Sequence, residues 1–209
     1  MNPRLYLGLV PWVVFAIVGR ETVEGVSWGA FAALAVALVI VGVSARSRSV
    51  KDLEVFAVGL FAALAVWAVS DQHNPLGVLQ RFDSAIAVGA LALFAVVSLA
   101  FQPFTEPYAR EVVQRKYWTT ARFNRTNVEL SLLWAVVFAA TAASFAAAGV
   151  VQTRLGTTLF AGLLPVAIVL LGAAQATTRW NDQFDGESMG IDALLNQGEL
   201  WDTRGGQAG

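Results

Sequence analysis

The stretch LSLLWAVVFAATAASFAAAGVVQT, residues 130–153, holds 24 positions without a charged side chain, and a second uncharged run of equal length follows Arg154, from Leu155 to Thr178. A bilayer core about 30 Å thick takes roughly 17 to 25 helical residues at about 1.5 Å each. Two such runs, parted by one basic residue, read as consecutive membrane spans. Their apolar residues are continuous, not arranged on one face as in a soluble amphipathic helix.

Toward the N-terminus the same pattern recurs at 84–102, 55–70, 25–45 and 5–19. The two short runs, 5–19 and 55–70, are flanked by Arg4, Arg20 and Glu54, whose side chains can reach the interface and lengthen each span by a turn. Val18-Gly19-Arg20-Glu21 is no small-x-small cleavage site, so the first run reads as a span and not as a leader. The expected fold is all-α: a polytopic bundle of six transmembrane helices over residues 1–178, followed by a tail, 179–209.

Composition agrees. Hydrophobic residues make up 56% and charged residues 14%, with a mean hydropathy of +0.60. Without cysteine there are no disulfides, thiolate metal sites or cysteine nucleophiles. The lone histidine, His73, lies in a turn, Ser70–Pro75, and no metal or other cofactor is expected. With the N-terminus inside, cytoplasmic segments hold eleven Arg and Lys residues and outer segments hold three, Arg20, Arg81 and Arg154. That asymmetry sets both termini in the cytoplasm, and the spans then lie in the cytoplasmic membrane.

Helix contacts have two candidate signatures. Gly25 and Gly29 form a GxxxG, a motif that biased composition also produces. Ala135, Ala139, Ala143 and Ala147 form an i, i+4 ridge expected to pack against another helix. Phe-Ala-Ala-Leu-Ala-Val occurs at 31–36 and 61–66, but the flanks differ and the repeat reads as composition. The span centres carry no ionisable residue. Glu54 and Glu129, beside Lys51 and Arg125, read as interfacial anchors in first helical turns. Pro11 and Pro165 lie inside spans and should distort them. No HExxH, GxSxG, P-loop or dinucleotide fingerprint occurs, so no enzyme activity and no nucleic-acid partner are expected.

The loop Pro103–Asn127 is the informative segment, with a net charge of +3. Thr105 can cap a helix that has Pro107 in its first turn. Ala109, Val112, Val113 and Tyr117 then form an apolar stripe, with Arg110, Glu111, Gln114 and Arg115 facing away. With Tyr108 and Trp118 this predicts an amphipathic helix, Pro107–Trp118, lying in the inner-leaflet interface on anionic lipid. Thr105, Glu106, Tyr108, Arg110, Glu111, Arg115, Lys116, Tyr117 and Trp118 are its candidate lipid- or partner-binding residues. Phe104–Glu111 followed by Tyr117-Trp118, Phe123, Asn127 and Trp134, with Gly8–Phe15 earlier, resembles a family of small bacterial six-span membrane proteins. Prolines that the family pattern would have near Gln114 and Ala121 are absent here. The resemblance implies architecture and supplies no catalytic residue.

From Trp180 to Gly209 six acidic residues face one Arg204, an acidic segment read as a solvated tail or docking peptide. Three functions compete. A structural or accessory membrane protein, working with a protein partner or as a homo-oligomer, comes first. A small transporter or channel using Thr141, Ser144 and Gln175 comes second, and a lipid-interface enzyme third.

Overall fold

A computed structural model describes residues 7–19, 23–47, 49–70 and 78–181. Arg48, the turn around His73 and the acidic tail beyond Asn181 lie outside the described residues. Among those described, all regular structure is helical. In chain order the helices are α1 (Val10–Val18), α2 (Val23–Arg46), α3 (Asp52–Ser70), α4 (Val78–Ser98), α5 (Glu106–Ala109), α6 (Ala121–Val151) and α7 (Arg154–Asn181). Five are long and apolar enough to cross a membrane: α2, α3, α4, α6 and α7. The chain thus has the helices of a multi-pass membrane protein.

Several helix ends depart from the sequence reading for local reasons. Pro11 sits in the first turn of α1, where its missing N–H leaves no gap, and not in a helix interior. α4 stops at Ser98, four residues short of the apolar run. The Ser98 hydroxyl donates to Ala95 O at 2.7 Å and accepts the Phe104 N–H at 3.2 Å, turning the chain before Pro103. α6 starts at Ala121, nine residues before its apolar run, where the Thr120 hydroxyl accepts the Phe123 N–H at 3.2 Å. The two-residue link Gln152-Thr153 folds α7 back along α6. Thr153 caps α7 through Gly156 N–H at 3.1 Å, and Gln152 takes the left-handed conformation at φ 47°.

α7 is not a uniform helix. Thr158–Leu163 is π-helical, with the Leu164 N–H reaching back to Leu159 O. In that register the next N–H would bond Phe160 O, but residue 165 is proline and has none. The Ser144 hydroxyl of α6 donates to Phe160 O instead, at 2.7 Å. Pro165 therefore distorts α7 as expected, and a neighbouring helix supplies the missing hydrogen bond.

The core is alanine-lined and aromatic. Ala30, Ala33 and Ala37 of α2 and Ala57, Ala65 and Ala68 of α3 are buried and let the two helices lie close. α4 packs along most of α6. A chain of rings links the helices: Trp12 to Phe61 at 5.3 Å, Phe56 to Phe94 at 4.5 Å, and Phe94 through Phe104 to Phe138 of α6 at 6.1 and 6.4 Å. Gly29 is a true contact, since a Cβ there would lie 2.8 Å from Gly19 Cα, whereas the surroundings of Gly25 are not described. Of the four-alanine ridge only Ala135 is buried within the chain; Ala139 and Ala143 are exposed and Ala147 is half-buried. Steps of four overshoot a 3.6-residue turn by about 40° each, so the ridge winds off the contact face. That face instead carries Trp134, Val137, Phe138, Thr141, Ser144 and Ala148.

Candidate functional site

Two polar regions sit at opposite ends of the helices. The first is the loop between α4 and α6. Its backbone enters the bundle at Thr105, which is buried with Asn127 and Ser131 of α6. The Thr105 hydroxyl donates to Asn127 O at 3.0 Å and lies 2.9 Å from the Ser131 hydroxyl, and the Asn127 amide donates to Phe123 O at 2.8 Å. Thr105 thus ties the loop to α6 and makes no side-chain cap on α5.

α5 is only four residues long, and a 3₁₀ turn, Arg115–Tyr117, follows it after a bend. The continuous Pro107–Trp118 helix is therefore absent. Helices this short are marginal in isolation, and tertiary contacts override a local stripe. Val113 turns inward onto Ala109 and Phe123, with Tyr117, Trp118 and Trp180 packed around them, while Val112 is exposed. The Trp118 indole N–H donates to Val113 O at 2.9 Å and closes the bend. Glu111, expected to face away, turns to the bundle.

There it meets Lys51, in the turn before α3. Lys51 Nζ lies 2.8 Å from the Glu111 carboxylate and 3.9 Å from that of Glu54. It also donates to Ser49 O at 3.4 Å and stands 4.9 Å above the Tyr108 ring. Lys51 and Glu54 are each 6% exposed, so Glu54 is a buried ion-pair partner and not an interfacial anchor. Tyr108 is buried beneath them, and a Cβ on Gly8 would come within 2.8 Å of its hydroxyl. Burial, then the charges of Glu54, Glu111 and Asp52, push the Tyr108 phenol well above its ordinary range, so it stays protonated.

The outward side is cationic and aromatic. Arg110 pairs with Glu106 and lies over Trp118, with 5.2 Å from guanidinium to ring. Lys116 lies 4.8 Å above Tyr117, and Arg110, Arg115 and Lys116 are exposed. Arg125 and Glu129 pair at 2.8 Å on the adjacent surface of α6, as their spacing implies. All nine candidate loop residues are thus gathered at one end. Lys51, which organises them, stands in the sequence as a basic residue beside Glu54, with nothing to join it to the loop; its sequence signal is that it is one of two lysines among twelve arginines.

The second region is an open cleft of about 700 Å³ at the other end, between the start of α4, the end of α6 and the start of α7. Arg81, Asp83, Ser84, Gln152 and Thr157 supply its polar wall. Thr141, Ser144 and Gln175 do not line it: Thr141 bonds its own helix at Val137 O, Ser144 bonds Phe160 O, and Gln175 is exposed. Neither region brings a nucleophile to a base, and no metal-ligating cluster occurs among the described residues. The chain matches no known family model, no curated protein and no solved structure.

Proposed function

We propose that the chain is a structural or accessory protein of a bacterial cytoplasmic membrane, which holds a folded basic platform against the inner leaflet for anionic lipid and a partner subunit. The observation that carries this reading is the Lys51–Glu111 pair, which with the Thr105–Asn127–Ser131 bonds fixes the loop to the bundle while Arg110, Arg115 and Lys116 face outward. A loop built this way presents a surface and does not act as a moving gate. The topology that fits is six spans with both termini cytoplasmic. Supporting it, α1 and its flanks extend from Gly8, beside Tyr108, to Gly19, beside Asp83, so a short helix joins the two polar ends. The basic asymmetry favours the loop end as the inner one. Membership of the six-span family with the Phe104–Trp118 motif belongs to the same proposal.

Each exposed basic residue near an anionic surface contributes about 1 kcal/mol, screened by salt. Native mass spectrometry of the protein extracted from mixed nanodiscs should find phosphatidylglycerol enriched over phosphatidylcholine. The triple variant Arg110→Gln, Arg115→Gln, Lys116→Gln should lose most of that enrichment. A single cysteine at Thr119 should react only with reagents that enter the cytoplasm. Equal lipid profiles for wild type and variant, or labelling of Thr119→Cys from outside, would refute the platform.

A further inference from the structure

The cleft at the far end is formed by departures from regular helix geometry. Gly149 of α6 lies so close to α4 that a Cβ would fall 2.7 Å from Arg81 O and 2.8 Å from the Phe82 ring. α4 and α6 therefore touch directly at the cleft floor. On the other side the left-handed Gln152 and the π-helical segment set α7 off from that contact, held by the Ser144–Phe160 bond. Both distortions are of the kind that accumulates at functional sites. A cleft of about 700 Å³ is within the range of small-ligand sites.

Its lining carries both charge signs in a bundle whose span centres carry none. Arg81 is exposed on one wall. Asp83 is half-buried on the same lining, with a carboxylate oxygen 3.5 Å from where a Cβ on Gly19 would lie. An ionised carboxylate offers lone pairs to an incoming donor. Gln152 and Thr157 add neutral donors and acceptors, and Phe145 gives an apolar floor.

We propose that this cleft binds a zwitterion that carries a primary ammonium beside an anionic phosphate or carboxylate, with the ammonium on Asp83 and the anion on Arg81. Ethanolamine phosphate has this chemistry, either as a membrane lipid headgroup or as a free solute. The site does not depend on the basic platform, and its existence does not depend on which face is outside.

The test uses the full-length protein in nanodiscs containing equal phosphatidylethanolamine and phosphatidylglycerol, the second having the phosphate without the ammonium. Every arm, including the one that is wild type at the cleft, carries the platform triple substitution, so that phosphatidylglycerol held there does not enter the ratio. Hydrogen bonds to charged groups being the strong ones, wild type should retain phosphatidylethanolamine about tenfold over phosphatidylglycerol. Asp83→Asn should bring the ratio near one, and Arg81→Gln should weaken retention of both lipids. Glu129→Gln, at the other end, should change neither. Free O-phosphoethanolamine, titrated in phosphatidylcholine discs, separates the sources: a saturable rise in melting temperature that Asp83→Asn abolishes identifies a soluble ligand. Retention of the lipid without that rise identifies the headgroup. Should Asp83→Asn fail to fold, the exposed Arg81→Gln decides alone. A wild type with no preference for either ammonium-bearing probe, or an Arg81→Gln protein that binds as wild type does, overturns the proposal.

Discussion

At the loop end of the molecule, the buried side chains of Lys51 and Thr105 each engage other parts of the chain. Lys51 holds two carboxylates, a carbonyl and a ring, and Thr105 bonds two residues of the next helix. At the cleft end, the distinctive features are backbone distortions around an open volume, with a half-buried carboxylate on its wall. A membrane bundle gains little from burying apolar area against lipid, so packing and hydrogen bonding decide where it is rigid. The loop end uses these interactions to close on itself, and the cleft end uses them to stay open. That contrast is why a docking platform is proposed for the first and a ligand for the second.

The largest expected effect tests the closed end. Removing one partner of a buried ion pair leaves an uncompensated charge and costs about 3–5 kcal/mol. Lys51→Ala should fall near the lower bound, about 3 kcal/mol, because the Glu111 side chain keeps 21% of its surface exposed. Thermal unfolding in detergent measures this, and limited proteolysis should then cut within Glu111–Thr119. Adding Glu111→Gln to Lys51→Ala should restore part of the loss. A Lys51→Ala protein with wild-type melting and an uncut loop would erase the difference between the two ends.

The same contrast separates what the sequence discloses from what it conceals. The helical spans were legible because an uncharged run of membrane length is a local property, and α2, α3, α4, α6 and α7 coincide with such runs. The first run, 5–19, yields the nine-residue α1 and, across a turn at Leu9, a helical Leu7-Gly8 among described residues, so its span remains part of the proposal. The loop was legible as a basic, aromatic surface. Its conformation was not, because Lys51 and Glu111 are far apart in sequence and only the fold brings them together. The alanine ridge misled for a geometric reason, strict fourfold spacing on a 3.6-residue helix, whereas Gly29 was under-read because composition could explain it. The cleft draws on three separate segments, and no single window of sequence contains it. Its one early trace was Pro165, whose consequence depended on a hydroxyl 21 residues upstream.

That hydroxyl gives the intermediate effect, at the open end. Ser144→Ala leaves Phe160 O without its donor, a loss of about 1–2 kcal/mol. Pro165→Ala supplies an N–H that can reach back along α7 and bond the freed carbonyls itself. In the Pro165→Ala background the Ser144→Ala substitution should therefore cost close to nothing. The double-mutant cycle isolates this coupling of about 1 kcal/mol or more, since both residues act on one carbonyl. Additive losses would mean that the π-helical segment has another cause, and would weaken the view of the cleft wall as a built feature.

The smallest effect is a pH dependence confined to the closed end. Tyr108 is buried against carboxylates, so its phenol ionises in the folded protein only well above the ordinary value of 10.0. In the unfolded chain it ionises at that ordinary value. Above pH 10 the unfolded state therefore binds fewer protons than the folded state, and stability falls as pH rises. The contribution is fully present below pH 10 and is lost progressively above it, through the folded-state ionisation. Tyr108→Phe keeps the ring beneath Lys51 and removes the proton. Melting temperatures measured from pH 8 to 11 should decline more steeply for wild type than for Tyr108→Phe, with the difference opening only above pH 10. Parallel declines would mean that water reaches the phenol, and that the loop end is less closed than the buried Lys51 implies.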